Sequence, residues 1–304
     1  MSIKTELHCH NSFSNFHLGY KEPPYDCDIS IRDQLEQSYE LGLDAIFVTN
    51  HNTLDGYNQL LEYKNDHVKF KNIDIFPAEE ITTDTGAHVL AYGIHDTIVG
   101  GISLEEVIDE VSKQGGVSSA PHPFSLIDAL RDSAKKCDMV EVFNSNNVDL
   151  LSNARAAQFA LDNNMTQVAG SDSHILSTLG RCVNVIDSEN NLDDILHAMK
   201  HGRIEISQTG YALENEMLDH LRYQINTSRE YIADYISEYY PHSKWFSTLL
   251  LKLYDSYPYS PVWLLSYKIM LYFLKRISRK INFQNKDPSF MKERNLATMF
   301  RMSL

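Results

Sequence analysis

Short apolar runs alternate with amphipathic helical segments over the first 209 residues of this chain of 304, and this alternation limits the fold more than any other feature. The helical segments have apolar residues at three- and four-residue spacing. Strands that alternate with helices predict parallel pairing and an α/β barrel or doubly wound sheet. The candidate strands lie at 3–8, 45–49, 73–81, 88–92, 116–120, 139–143, 167–170 and 182–186. The clearest helical segments lie at 31–41, 104–111, 154–161 and 192–199.

Two observations favour the barrel. Almost every candidate strand ends in a polar residue, as expected where active-site groups collect at the C-terminal mouth of a barrel. The glycine-rich loops GxGxxG and GxxxxGK[ST] of nucleotide-binding sheets follow none of the strands. After residue 210 the sequence becomes aromatic-rich and helical. We therefore expect a barrel over residues 1–209 and a helical extension over residues 210–304.

Histidines and carboxylates gather at the predicted strand ends. His8 and His10 form an HCH motif, and residues two apart on a strand point to the same face. Asp172 and His174 repeat this spacing in GSDSH. Nitrogen and oxygen ligands without a thiolate suit Zn, Mn or Fe in a cluster of two or three divalent ions. The remaining candidate ligands are His51, Glu80, His88 and His122.

In this ordered set the sequence resembles the PHP family, the polymerase and histidinol phosphatase group of metal-dependent phosphoesterases. The resemblance covers residues 3–208 and rests on HxH at His8 and His10, on a TDHN-like motif around His51, and on the glutamate of PGxE at Glu80. It continues through three further motifs, which are a following histidine at His88, PHP around His122, and SDxH at Asp172 and His174. It implies a distorted (β/α)7 barrel with, in this chain, a C-terminal helical extension.

The resemblance also implies how the ligands are shared among ions. The first ion would take His8, His10, Glu80 and Asp172, and Glu80 would bridge to a second ion held by His88 and His122. A third ion would take His51, His174 and a residue from the loop after HxH. Here the chain departs from the family, because Asn15 replaces an aspartate and the aspartate of TDHN is Asn50. Either Asn15 or His17 is the expected third-site ligand.

These motifs predict a phosphoric ester hydrolase that acts on a small phosphorylated substrate, such as a phosphomonoester, a nucleotide or a short oligonucleotide. A metal-bridging hydroxide would attack phosphorus, and the catalytic residues would be His51, Asp172 and His174. Arg181 is a candidate phosphate-binding residue. Glu79 and Glu141 are expected to have no ligand role. Amidohydrolases also begin with HxH, but they usually place a carboxylated lysine at a later strand end, and no such lysine is evident here.

Charge divides the chain into two parts. Residues 1–209 carry 14 basic and 32 acidic residues, whereas residues 260–304 carry 9 basic and 2 acidic ones. An acidic body disfavours nucleic-acid binding by bulk electrostatics. The basic C-terminal segment leaves a second hypothesis, in which it tethers the barrel to a membrane surface or nucleic acid for a regulatory or binding role. Four scattered cysteines and an N-terminus without an apolar signal region predict a cytoplasmic protein, and the sequence does not indicate an oligomeric state.

Overall fold

The computed structural model describes residues 2–16, 26–293 and 295–303, and within them the strands form one mixed sheet. The order of the strands is β7-β6-β5-β4-β3-β2-β1-β8-β9. The strands are β1 (Ser2–Cys9), β2 (Ala45–Val48), β3 (Asp74–Thr82), β4 (His88–Tyr92), β5 (Val117–Ala120), β6 (Met139–Asn144), β7 (Thr166–Gly170), β8 (Val183–Asp187) and β9 (Ile204–Gln208). All eight predicted strands are present, and β9 is an additional one.

The sheet curves until its two ends nearly meet. The chain just after β7 returns to the end of β1, where Asp172 N donates to His8 O at 2.7 Å and His10 N donates to Ser173 O at 3.2 Å. Cys9 and Ser173 form an isolated parallel bridge there. The predicted fold class, a distorted α/β barrel followed by helices, is confirmed.

Strand direction departs from the simple parallel pattern at β4. This strand runs antiparallel to both β3 and β5, because a tight turn at residues 83–87, rather than a crossover helix, joins β3 to β4. Thr83 N donates to Ala87 O at 2.8 Å across that turn. As a result, the first residue of β4, His88, lies beside Thr82 at the end of β3. The start of β4, with His88, thus lies at the edge of the sheet where the parallel strands have their C-terminal ends.

Helices cover the outer side of the sheet and continue beyond it. Side-chain caps begin several of them, since Ser30 accepts from Asp33 N and Ser103 forms a capping box with Glu106. The helices are α1 (Ile31–Glu40), α2 (Asp55–Asn65), α3 (Leu104–Lys113), α4 (Leu151–Asp162), α5 (Leu192–Lys200), α6 (Glu214–Thr227), α7 (Ile232–Tyr239), α8 (Lys244–Ser256), α9 (Val262–Phe283) and α10 (Leu296–Ser303). The four predicted helices correspond to α1, α3, α4 and α5.

The helical extension, α6 to α10, packs against the barrel through α9. Asn282 Nδ2 donates to Phe124 O at 3.1 Å, and Ser278 Oγ donates to Asp149 Oδ1 at 2.8 Å. Ile277 and Ile281 are buried beside these polar contacts. In the described part of the chain, no helix combines the length and the apolar character needed to cross a bilayer.

Candidate metal centre

The mouth of the barrel brings the predicted ligands together. His8 and His10 come from the end of β1, His51 follows β2, and Glu80 lies in β3. The short strands fix these positions because their backbones pair across the sheet, and an isolated bridge also joins His51 to Glu80. The remaining predicted ligands arrive from β4, from the segment after β5 and from the segment after β7, as His88, His122, Asp172 and His174.

Four of these side chains form what we call the inner group: His8, His10, Glu80 and Asp172. The two histidine Nε2 atoms lie 3.4 and 3.2 Å from Glu80 Oε2, and each lies 3.4 Å from Asp172 Oδ1. Both rings are fully buried. This is the set that the family resemblance implies for the first ion, although the identity of the ligands stays a prediction.

Glu80 extends the cluster because its two oxygens face different histidines. Oε1 lies 2.9 Å from His88 Nδ1 and 3.1 Å from His122 Nε2, while Oε2 lies 3.4 Å from His51 Nδ1. We call His51, Glu80 and His88 the bridging group. The structure thus adds His51 to the pair, His88 and His122, that the resemblance implies for the second ion. The carboxylate is in position to span two cations.

A third set, the outer group, contains His10, Asp26, His51 and His174. Asp26 Oδ1 lies 3.2 Å from His174 Nε2, and Asp26 Oδ2 lies 3.8 Å from His51 Nε2. The rings of His10 and His174 stack with their centroids 4.4 Å apart. His51 and His174 were the predicted third-site histidines, and Asp26 is the member that sequence reasoning missed.

Asn15, one of the two expected third-site ligands, is not a member of the outer group. The Asn15 side chain accepts from Cys27 N at 2.8 Å and donates to Cys27 O at 3.0 Å, so it holds the backbone beside Asp26. His17 lies outside the described residues. The outer group thus contains a carboxylate, that of Asp26, although position 15 carries none. The only sequence signal for it was the spacing in Asp26-Cys27-Asp28, which repeats the two-residue step of HCH without a strand to orient it.

Burial and opposite charge shift the pKa values of the cluster strongly. Burial would lower the pKa of His88 and His174, but Glu80 and Asp26 respectively outweigh burial and raise these values to about 9 and about 10. Burial dominates at His51, whose pKa falls to about 3. Burial alone would raise the pKa of Asp172, but His8 and the neighbouring histidines hold it well below its usual range. The buried carboxylates Asp26, Glu80 and Asp172 are thereby held in their ionised form, and their negative charge favours bound cations.

Several atoms that face this space suit a metal ion better than a hydrogen bond. Within the described residues, His8 Nε2, His10 Nε2, Asp26 Oδ2, His51 Nδ1 and His122 Nδ1 are buried without a hydrogen bond of normal geometry. Buried polar atoms in native proteins are nearly always satisfied. Imidazole nitrogens and carboxylate oxygens are ordinary ligands of Zn, Mn and Fe. The residues present therefore fit divalent ions.

Polar neighbours orient the candidate ligands. Ser14 Oγ lies 3.1 Å from His10 Nδ1, and Glu141 Oε1 lies 3.0 Å from His8 Nδ1. Glu141 Oε2 also accepts from His122 N at 2.8 Å. Partners of this kind fix the tautomer and direction of metal-binding imidazoles. Glu141 thus contacts two candidate ligands without belonging to any donor group found in the described residues.

Two other candidate residues lie outside the donor groups. Glu79 points away from the cluster, and its Oε2 accepts from Ile98 N at 3.0 Å. The guanidinium of Arg181 pairs with Glu216 in the first turn of α6. A phosphate-binding role for Arg181 stays a prediction. The observed ion pair links Arg181 to the start of the helical extension.

Comparison with known proteins places this geometry in a family. A family model described as PHP-associated matches residues 151–204. The uncharacterized protein MJ1587 of Methanocaldococcus jannaschii is 32% identical over 146 residues, which are 47% of this chain and 82% of that protein. The chain belongs to the PHP family. A second relative, the uncharacterized protein MJ0417 of the same organism, is 29% identical over 126 residues, which are 38% of this chain and 53% of that protein.

Solved structures share the PHP fold of this chain. PsfC from Pseudomonas syringae superposes with a TM-score of 0.50 at 19% identity, covering 75% of this chain and 98% of that one. The lesion-specific endonuclease PfuEndoQ from Pyrococcus furiosus also has a TM-score of 0.50, at 16% identity, covering 68% of this chain and 58% of that one. Similarity at this level establishes the fold.

Proposed function

We propose that this PHP protein is a metal-dependent phosphoesterase that hydrolyses a small phosphorylated substrate at two or three divalent ions. The observation that carries the proposal is the overlap of the inner, bridging and outer groups, which share His10, His51 and Glu80. Glu80 would bind two ions through its two oxygens, whereas each histidine nitrogen would bind one ion, and ions held this close would act on one phosphate. Zn, Mn and Fe all suit this donor set.

Bound ions would activate water near neutral pH, neutralise phosphate oxygens and stabilise the leaving oxygen. The chain's own residues would orient this chemistry. His8, His10 and Asp172 converge on Glu80 where β1 meets the segment after β7, and this convergence would fix the place at which a phosphate binds. His174 holds a proton at Nε2 when the outer group lacks an ion, and it would then pass this proton to the leaving oxygen, with His51 beside it.

The substrate class follows from charge and from burial. The net charge of -18 over residues 1–209, from 14 basic and 32 acidic residues, opposes long polyanions. The cluster itself is buried, so a short phosphorylated group fits it better than a continuous strand. PfuEndoQ is a lesion-specific endonuclease by its name, so the substrate panel should include short oligonucleotides beside phosphomonoesters and nucleotides. We assign catalysis to residues 1–209 and a supporting role to residues 210–304.

The test combines metal analysis with hydrolysis of that panel. The wild-type protein should bind divalent metal stoichiometrically and release phosphate or cleave a diester. His10→Ala and Asp172→Ala should each lose metal and reduce kcat by 100-fold or more (roughly two orders of magnitude, as for removal of one strong transition-state contact). His95→Ala removes an exposed imidazole and should change neither property. Stoichiometric metal without hydrolysis of any substrate would refute the proposed function.

A second candidate role concerns the exposed apolar side chains of the helical extension. Trp245 in α8 and Leu265 in α9 are 73% and 60% exposed, and lysines such as Lys244 and Lys252 lie near Trp245. Apolar and basic side chains together favour the surface of an anionic membrane. Cosedimentation with vesicles that contain anionic lipid should weaken in Trp245→Ala/Leu265→Ala. Absence of wild-type binding would remove this alternative.

A further inference from the structure

Helix α6 of the extension contacts the segment that supplies the missing carboxylate. His220 Nε2 donates to Asp26 O at 2.7 Å, and Tyr223 Oη donates to Cys27 O at 2.9 Å. These two side chains lie three residues apart, so they share one face of the helix. The backbone on both sides of the Asp26–Cys27 peptide bond is thereby fixed by a helix that lies almost 200 residues further along the chain.

The contact reaches the outer group directly. The ring of His220 lies against His174, with centroids 5.3 Å apart. Tyr223 Oη also accepts from Asn15 Nδ2 at 3.1 Å, and Asn15 in turn holds Cys27. Burial, followed by the charge of His174, lowers the pKa of His220 to about 4. One face of α6 thus lies against both His174 and the backbone of Asp26 in the outer group.

The opposite face of α6 belongs to the extension. Leu218, Leu221 and Ile225 line an apolar cavity of about 730 Å³, whose other walls come from α7 to α10. The first turn of α6 is fixed by the ion pair between Arg181 and Glu216. The position of His220 and Tyr223 therefore depends on how the extension packs.

We propose that α6 completes the metal centre, with His220 and Tyr223 as positioning residues that hold Asp26 at the outer group. The inference rests on the metal-binding function proposed above. Neither side chain is among the donor groups, so each acts through Asp26. The carboxylate lost at position 15 is replaced from a loop, and a loop ligand needs outside support because no strand orders it. Residues 210–304 thereby control the affinity of one ion among three.

The test measures metal affinity rather than activity. Purified full-length protein, stripped of metal, is titrated with Mn²⁺ and with Zn²⁺, and bound ions are counted after dialysis. Asp26→Asn removes the carboxylate charge of the outer group and shows how the titration changes when the outer ion is lost. Tyr223→Phe and His220→Ala should weaken the same ion by 10- to 100-fold (roughly the effect of removing an outer-shell partner) and leave the other ions unchanged. His220→Gln, whose amide can still donate to Asp26 O, should restore part of the affinity.

Controls separate positioning from general damage. Tyr259→Phe and His242→Ala remove the same chemical groups from exposed places in the extension and should bind as wild type does. Adding Tyr223→Phe to Asp26→Asn should cause no further loss, because both act on one ion. Wild-type affinity for every ion in both α6 variants would overturn the inference, as would an equal loss of all ions. Three ions bound without phosphoester hydrolysis would refute the proposed function and leave this inference standing.

Discussion

Gly170 lies so close to Glu141 that a Cβ at position 170 would stand 1.8 Å from Glu141 Oε1. The same Cβ would stand 2.5 Å from the Cβ of His8. The last residue of β7 is therefore a glycine because of space, since three strands place a backbone, a carboxylate and an imidazole at one point. The positions of Glu141 and His8 beside the inner group thus depend on the absence of a side chain at residue 170.

Gly170→Ala should consequently displace Glu141 and His8 together. We expect loss of the ion in the inner group and a kcat reduced by 100-fold or more (roughly), with metal content measured by mass spectrometry and activity on the best substrate. Gly210→Ala is the matched control, because its Cβ would meet Arg181 at an ordinary 3.7 Å. Full metal content in Gly170→Ala would show that the two side chains tolerate the shift.

Removing only the charge of Glu141 gives a finer test. Glu141→Gln keeps the shape of the side chain, but its amide cannot accept at both oxygen positions from His8, His122 N and Asn144. We expect metal affinity to fall by roughly 10- to 100-fold, measured by competition with a chromophoric chelator. Glu205→Gln, an exposed change in β9, should leave affinity unaltered. Unchanged affinity in Glu141→Gln would mean that His8 needs no support from this carboxylate.

Glu79 should make stability depend on pH. Burial raises its pKa from 4.5 to about 8 in the folded chain. Between these values the unfolded chain has lost a proton that the folded chain keeps, so the free energy of unfolding falls as pH rises from 4.5 towards 8. Glu79→Gln should be more stable than wild type at pH 9, by roughly 2 to 4 kcal/mol, and nearly equal at pH 5. Urea unfolding at both values checks this, and parallel pH profiles would contradict it.

Packing of the extension on the barrel can be tested at α9. Ile277 is 2% exposed, and truncation there leaves a cavity between α9 and its neighbours. Ile277→Ala should lower the free energy of unfolding by roughly 2 to 4 kcal/mol. Ile269→Ala, on an exposed part of the same helix, should change it by less than about 0.5 kcal/mol. Equal effects in the two variants would indicate that α9 is not held against the barrel.

Much of the barrel could be predicted because its information is local. Runs of apolar residues predict the eight strands. Apolar periodicity and capping residues predict helices such as α3. Strand β9 was not predicted because most of its residues are exposed at the edge of the sheet, so it lacks a run of buried apolar residues. The antiparallel direction of β4 depends on a turn that is too short to contain a helix. The apolar pattern predicted the strand at 88–92 but not its direction.

The candidate site likewise contains residues that the sequence predicted and residues that it did not. Candidate ligands near strand ends, such as His10 and Glu80, could be found from two-residue spacing and motif order. Asp26 could not, because its direction comes from Asn15 and from α6 rather than from any strand. The supporting roles of Glu141 and His220 were also invisible, since a buried carboxylate or a helical histidine shows no pattern until the chain has folded around it.

The central place of β1 in the sheet has a consequence for biosynthesis. Ser2 pairs with Asp187 and Thr5 pairs with Ala45, so β1 is bordered by β2, which follows soon in the sequence, and by β8, which follows much later. The β2 edge is available early, whereas the β8 edge must wait until about 180 more residues have been translated. Contacts between such distant segments form slowly. During synthesis His8 and His10 thus lie on a strand that stays half-paired until β8 has been made, and the candidate ligands that follow β7 join them only shortly before that point.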